Sequence, residues 1–245
     1  MKKKIIIISI ILVILFLLIK GFFLYYYNID SVLINDYDKI IENFKFKNTV
    51  TIKTKLVENN NYLTYKNIKI RNDFKDFVKK VDENINDYER YMLYDENKNI
   101  KAVFMIGKNS TYTYILRNNP TYFIDDKRFS PDSVVKILDE NNITNDIELF
   151  EFLKKNMNRK ANIFTSIKKM REYCTIQYLA AIMLPTVESL SKIDGDYDGF
   201  IYNLKYGKEA NILIGDDKYT FTFFKKDYFT DSYVEELLNT VVIDK

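Results

Sequence analysis

Fifteen residues from Ile5 to Ile19, interrupted only by Ser9, carry no charge and almost no polarity. A run apolar on every side reads as a membrane span rather than as the buried N-terminal helix of a soluble protein. At about 1.5 Å per residue it spans roughly 22 Å, short of the ~30 Å hydrocarbon core of a bilayer. Continuing through Tyr27 makes 23 residues and about 34 Å, which suffices. Lys20 then lies near one end, where its stem can snorkel to the headgroups. Phe22, Phe23, Tyr25, Tyr26 and Tyr27 supply an interfacial aromatic belt.

Lys2, Lys3 and Lys4 precede the run, and the positive-inside rule places them in the cytoplasm. Everything after Tyr27 is then expected outside the membrane. A cleaved signal peptide shares the basic start and the apolar length. No small-x-small cleavage site follows, however, and no Cys that would mark a lipoprotein, so a retained anchor is expected. The bilayer is the first expected partner, through residues 5–27.

The net charge of +3 belongs to this segment. Without the four lysines of the first 27 residues, 33 basic residues face 34 acidic ones. Such a near-neutral chain has no field to gather nucleic acid. The absence of His excludes Ser-His-Asp and Cys-His catalysis and imidazole metal sites. The single Cys174 excludes an internal disulfide. Heavy use of Lys, Asn, Ile and Tyr reads as an AT-rich, low-GC bacterial genome.

Periodicity divides the rest into elements. Leu33, Tyr37, Ile40, Ile41 and Phe44 predict a helix over 31–45. Alternation over 50–56, a turn at 58–61 and a return over 62–71 predict a hairpin. Phe74, Phe77, Val78 and Val81 predict a helix capped by Asn72 or Asp73. Strands are expected near 88–95, 100–107 and 111–117. Ser130-Pro131-Asp132 starts a helix to about 141, and Thr144 caps another to 156. A longer, largely apolar helix runs from about 162 to Leu184, where Pro185 ends it. Strands over 199–206, 209–214 and 218–225 follow, then a helix capped by Thr230.

The expected fold class is therefore α+β. An N-terminal anchor over 1–27 precedes one extracytoplasmic domain over 28–245, with antiparallel strands and about five to six amphipathic helices. From Asp194 to Ile243, a Gly-containing turn leads into a strand meander, Tyr219-Thr220-Phe221-Thr222-Phe223 and a short capped helix. This pattern resembles the closing strands and helix of PsbP-like envelope domains. The resemblance implies an α+β fold and carries no functional residues.

Asp194-Gly195-Asp196-Tyr197-Asp198-Gly199 matches the D-x-D-x-D-G opening of an EF-hand loop. Asp194, Asp196 and Asp198 at alternate positions are candidate ligands for a weak calcium site. Lys205 occupies the twelfth position, where a bidentate Glu belongs, and Glu188 is a candidate replacement. The competing reading is an acidic turn from helix to strand, with no cofactor. Ser133-x-x-Lys136 and Ser166-x-x-Lys169 match a Ser-Lys nucleophile motif, but neither S-D-N nor K-T-G follows. The acid pairs Asp125-Asp126 and Asp216-Asp217 sit in expected turns.

The chain is thus expected to be a non-enzymatic binding domain of a bacterial envelope, with a protein, the cell wall or a small envelope ligand as partner. An envelope hydrolase using carboxylates or a Ser-Lys pair is the alternative.

Overall fold

The computed structural model describes residues 2–28, 44–58, 61–74, 77–81, 88–108, 111–123, 128–129, 131–214 and 217–244. The helix expected over 31–45 lies almost wholly outside these residues, as do Asp125, Asp126 and Asp216. Helices and antiparallel strands mix as expected, and six α-helices lie among the described residues. The chain divides into two compact units, Met1–Asn43 with Thr111–Pro185, and Phe44–Ser110 with Thr186–Lys245.

The first unit is helical. Helix α1 (Lys2–Tyr26) is long and apolar enough to cross a membrane, and its residues 4–19 are exposed on every side. Its last two turns differ. Lys20, Gly21, Phe23, Leu24 and Tyr27 share one partly or fully covered face, the i, i+3, i+4, i+7 spacing of a packed helix. The remaining helices are α2 (Tyr112–Asn118), α3 (Pro131–Glu140), α4 (Asp146–Asn156) and α5 (Ile167–Met183). Pro131 opens α3, as its fixed φ favours. Asn145 caps α4 through Glu148 N, while Glu148 returns a bond to Thr144 N, a reciprocal cap one residue later than expected. Met170, Cys174, Leu179 and Met183 of α5 are fully buried.

Residues 112–118 form a helix where alternation predicted a strand. The Thr111 hydroxyl caps this helix locally, accepting from Tyr114 N at 3.1 Å, and a distant residue adds to it. Asp146, with no exposed surface, accepts hydrogen bonds from Tyr112 N at 2.9 Å and Thr113 N at 2.7 Å, and from the Thr113 hydroxyl. A carboxylate placed on the free N–H groups of a first turn stabilises a helix that short propensity would not.

The second unit is a nine-stranded sheet with a three-stranded sheet and one helix. The strands are β1 (Lys45–Phe46), β2 (Val50–Ile52), β3 (Tyr62–Tyr65), β4 (Ile68–Arg71), β5 (Phe77–Val81), β6 (Tyr88–Tyr94) and β7 (Ile100–Lys108). After the first unit come β8 (Val187–Gly195), β9 (Asp198–Leu204), β10 (Gly207–Ile214), β11 (Asp217–Phe224), α6 (Asp231–Leu238) and β12 (Val242–Ile243). The large sheet runs β1-β8-β9-β10-β11-β7-β6-β5, with β2 also on β8, and the small one β12-β4-β3. All pairings are antiparallel except those of β1 and β2 with β8.

Two expected elements change here, and an unassigned stretch becomes a strand. Residues 77–81 pair with β6 as a strand instead of forming a helix, Phe77 opposite Leu93 and Val81 opposite Glu89. The 49–71 hairpin does not form. Its second arm folds on itself as β3–β4, and its first arm joins β8. Residues 187–193, to which the sequence assigned no element, form with Asp194 and Gly195 a strand, so the acidic turn follows a strand and not a helix. The core of this unit packs Phe104, Phe221 and Phe223 of the large sheet with Ile68 and Ile70 of the small one and Val234, Leu237 and Leu238 of α6.

Replacing Asp146 by Ala leaves two backbone N–H groups without their acceptor in a dry site. Asp146→Ala should destabilise the helical unit by about 3 kcal/mol, while Asp146→Asn, which keeps one acceptor oxygen, should cost about half of that. Urea unfolding of the detergent-solubilised chain, followed by circular dichroism, checks both the loss and the order.

Candidate functional site

The site begins with a bulge. Phe46 pairs with Leu190 and Val50 with Ile193, so four steps on the edge segment match three on β8. Lys47 N still bonds Leu190 O at 2.9 Å, after which the backbone leaves the ladder until Val50. An extra residue in one strand bends it away from its partner. The opening left by residues 47–51 is one wall of a groove of about 500 Å³, with Ser191 of β8 and Glu235 and Asn239 opposite.

Helix α6 forms the other wall. Thr230 caps it by accepting from Tyr233 N, as the sequence predicts. Asp231, Glu235 and Asn239 follow at four-residue spacing and share the edge that faces the groove, while Val234, Leu237 and Leu238 face the core. Asn239 also fixes the chain beyond β2. Its side-chain oxygen accepts from Lys53 N at 2.8 Å, and its carbonyl accepts from Lys55 N at 2.6 Å.

At the inner end of the groove is a pocket of about 30 Å³, room for one or two waters or the tip of a ligand. Its floor is a patch of polar residues on adjacent strands. Asn203 of β9 and Lys208 of β10 are direct cross-strand partners, and Ser191 of β8 lies beside them. Lys208 is only 3% exposed. Its Nζ donates to Phe229 O at 2.5 Å and lies 3.4 Å from Asp231 Oδ1. Lys47 Nζ reaches the other oxygen, Asp231 Oδ2, at 2.8 Å. One carboxylate therefore bridges two ammonium groups. Ser191 and Asn203 are both 5% exposed, and their side chains make no hydrogen bond to a described residue. Buried polar groups normally have a partner, so these two are the groups a bound molecule would satisfy.

Burial pushes the Lys208 ammonium below the ordinary lysine range, and Asp231 offsets only part of that. Burial acts against the Asp231 charge as well. There the bond from Lys47 and the field of Lys208 outweigh it, and the carboxyl lies below its ordinary range. A depressed carboxylate contributes stability that is present at neutral pH and lost as pH falls below about 4. A depressed amine acts in the opposite sense. The fold bears a cost while Lys208 is charged, and that cost is relieved as pH rises toward the ordinary lysine value.

The residues singled out by sequence fall elsewhere. Asp194, Asp196 and Asp198 lie at the β8–β9 hairpin, which joins strand to strand. Asp196 Oδ2 accepts from Thr54 N at 2.6 Å, a bond that lowers its pKa, and Asp194 Oδ1 accepts from Gly195 N at 2.9 Å. Glu188, at the opposite end of β8, pairs with Lys226. Among the described residues no group of three acidic or thiol side chains stands close enough to share an ion. The glycines of the motif have structural reasons: Gly195 has φ +126°, and a Cβ on Gly199 would lie 2.0 Å from Asn211 O. Tyr197, between the acids, is buried and donates to Leu238 O, pinning the hairpin to the end of α6.

Ser166 caps α5, its hydroxyl accepting from Lys169 N at 3.3 Å, and the Lys169 side chain is exposed. Lys136 is likewise exposed and reaches toward Glu140 at 3.7 Å. Cys174 is buried in α5. Sequence reading passed over Lys47, Ser191, Asn203, Lys208 and Asp231. One signal was available: Lys208 is in phase with Ala210 and Ile212, a lysine on the apolar face of a strand. Comparison with known proteins gives no matching family model, no matching curated protein and no matching solved structure.

The geometry predicts an asymmetry between the two charges. Asp231→Ala leaves the Lys208 ammonium buried without its anion and should cost about 2 kcal/mol, less than for a fully dry pair because Asp231 is half exposed. Lys208→Met keeps the volume, removes the buried charge and leaves Asp231 to Lys47, so it should be neutral or stabilising. Denaturant midpoints of the two variants check the contrast.

Proposed function

We propose that the chain is a membrane-anchored, non-enzymatic binding domain of a bacterial envelope, with α1 retained and the C-terminal end outside the cytoplasm. Three lysines before the span support this orientation, and the covered face of α1 supports retention. Tyr27 is buried, Arg171 donates to its hydroxyl at 2.8 and 3.0 Å, and cleavage near residues 22–30 would remove that packing.

The groove beside the bulge is the proposed ligand site. The observation that carries this is the buried Ser191–Asn203 pair, whose side chains have no bonding partner among the described residues. Lys47, Lys208, Asp231 and Glu235 bring both signs of charge to the same place. A zwitterionic, peptide-like end suits such a lining. Its polar tip would enter the inner pocket and its body would lie along residues 47–51. A Ser-Lys hydrolase would need the Ser191 hydroxyl bonded to a neutral Lys208. Here Lys208 is directed to Phe229 O and Asp231, both of which favour the ammonium.

The test is a thermal-shift titration of the detergent-solubilised chain with short free-ended peptides and soluble cell-wall stem peptides. A ligand at 100 times its dissociation constant adds about 2.7 kcal/mol to stability, so melting should shift upward. Ser191→Ala combined with Asn203→Leu should remove the shift without unfolding the protein. Absence of a shift across the peptides would overturn this ligand class. Covalent labelling of Ser191 by a serine-directed phosphonate would favour the hydrolase.

A further inference from the structure

Phe164 is 90% exposed, the most exposed large apolar side chain among the described residues. Single exposed apolar residues are ordinary, but this one is held at the tip of a built turn. Asn162 Oδ1 accepts from Phe164 N at 2.9 Å, the Thr165 hydroxyl accepts from Asn162 N at 2.9 Å, and Asn162 O accepts from Thr165 N at 2.9 Å. Three bonds across four residues fix the loop in the shape that presents the ring.

The turn is also tied to α1. Lys20 Nζ donates to Thr165 O, the carbonyl directly after Phe164. Two turns further along α1, Arg171 of α5 donates to Tyr27 and lies 5.5 Å from its ring centre. Loop and helix are thus joined at two levels, about 10 Å apart along the axis of α1. α1 as a whole is long enough to cross a bilayer, but the part exposed on all sides, residues 4–19, is about 24 Å long, so a ~30 Å hydrocarbon core reaches the turns that begin at Lys20. Lys20, and the turn bonded to it, therefore come to the level where hydrocarbon meets headgroups.

The charge around the turn fits that level. Residues 157–171 contain Arg159, Lys160, Lys168, Lys169 and Arg171 and no acid. Arg159, Lys160, Lys168 and Lys169 are exposed. Lys168 has one weak neighbour, Glu140 at 3.9 Å. An apolar ring flanked by cations is the composition of an interfacial membrane contact, which gains from apolar burial and from attraction to anionic lipids together.

We propose that the turn around Phe164 is a second membrane contact, with Phe164 inserted at the lipid interface and Arg159, Lys160, Lys168 and Lys169 facing anionic headgroups. This rests on α1 being a membrane anchor. The result is a two-point seat: α1 holds the helical unit to the bilayer, and the turn fixes its rotation about the axis of α1.

The chain has no Trp, so one introduced Trp is a clean reporter. The full chain carrying Phe164→Trp is reconstituted into phosphatidylglycerol–phosphatidylcholine vesicles with brominated acyl chains. Phe16→Trp, within the proposed span, is measured in parallel. The expected result is blue-shifted emission and loss of intensity to the bromines for both variants. For Phe164→Trp, the loss should shrink when Lys160, Lys168 and Lys169 are all changed to Gln. If Phe16→Trp is quenched by bromine while Phe164→Trp is quenched only by aqueous iodide, the anchor stands and the second contact is overturned. If neither is quenched by bromine, both are overturned.

Discussion

The pairing of β8 on both of its edges is the constraint on which the groove depends. One edge joins β9 through a short hairpin, a local event. The other holds β1 and β2 in parallel, across more than 130 residues of intervening chain. Parallel neighbours cannot be joined by a tight turn, so this pairing forms only after distant segments meet. The extra residue between its two short ladders makes the opening. A regular edge strand in the same place would close over Ser191 and leave no groove.

Two buried polar centres in this protein show opposite physical logic. Asp146 is satisfied by backbone and side-chain donors and serves the fold, adding to the Thr111 cap at the start of a short helix. Lys208 is buried where desolvation disfavours its charge, beside an amide and a hydroxyl that no described residue satisfies. Buried polar groups left in this way cost stability, and natural proteins retain such costs where function requires them. That contrast, rather than the size of the cavity, distinguishes the groove from ordinary surface relief.

Much of the scaffold was legible in the sequence because its signals are local. The apolar run, Pro131 at a helix start, Pro185 at a helix end, Thr230 as a cap and the β6–β7 and β9–β11 alternations all act within a few residues. The misread segments have distant causes. Residues 112–118 alternate like a strand, but beside the Thr111 cap their first N–H groups are held by Asp146, more than thirty positions away. Residues 77–81 are too short for a period to separate helix from strand, and pairing with β6 decides. In β8, Ser189 and Ser191 occupy the buried face where an apolar residue would have revealed the alternation. The site was hidden for the same reason. Lys47, Ser191, Asn203, Lys208 and Asp231 come from four separated stretches, and no window contains them together. In the acidic hairpin, conspicuous as a string of letters, the glycines permit a close strand approach and Tyr197 is anchored to the end of α6.

The parallel register of β2 on β8 can be tested by cross-linking. Thr51 and Asp194 are register partners, and both are exposed. Neighbouring strands lie about 4.8 Å apart, within the Cα separation that a disulfide bridges. In the full chain with Thr51→Cys and Asp194→Cys, mild oxidation should form this cross-link rapidly and quantitatively, with the buried Cys174 left as a thiol. If the pair stays reduced while Thr51→Cys with Thr64→Cys cross-links instead, β2 lies on the 62–71 segment, the bulge does not exist, and the groove account fails.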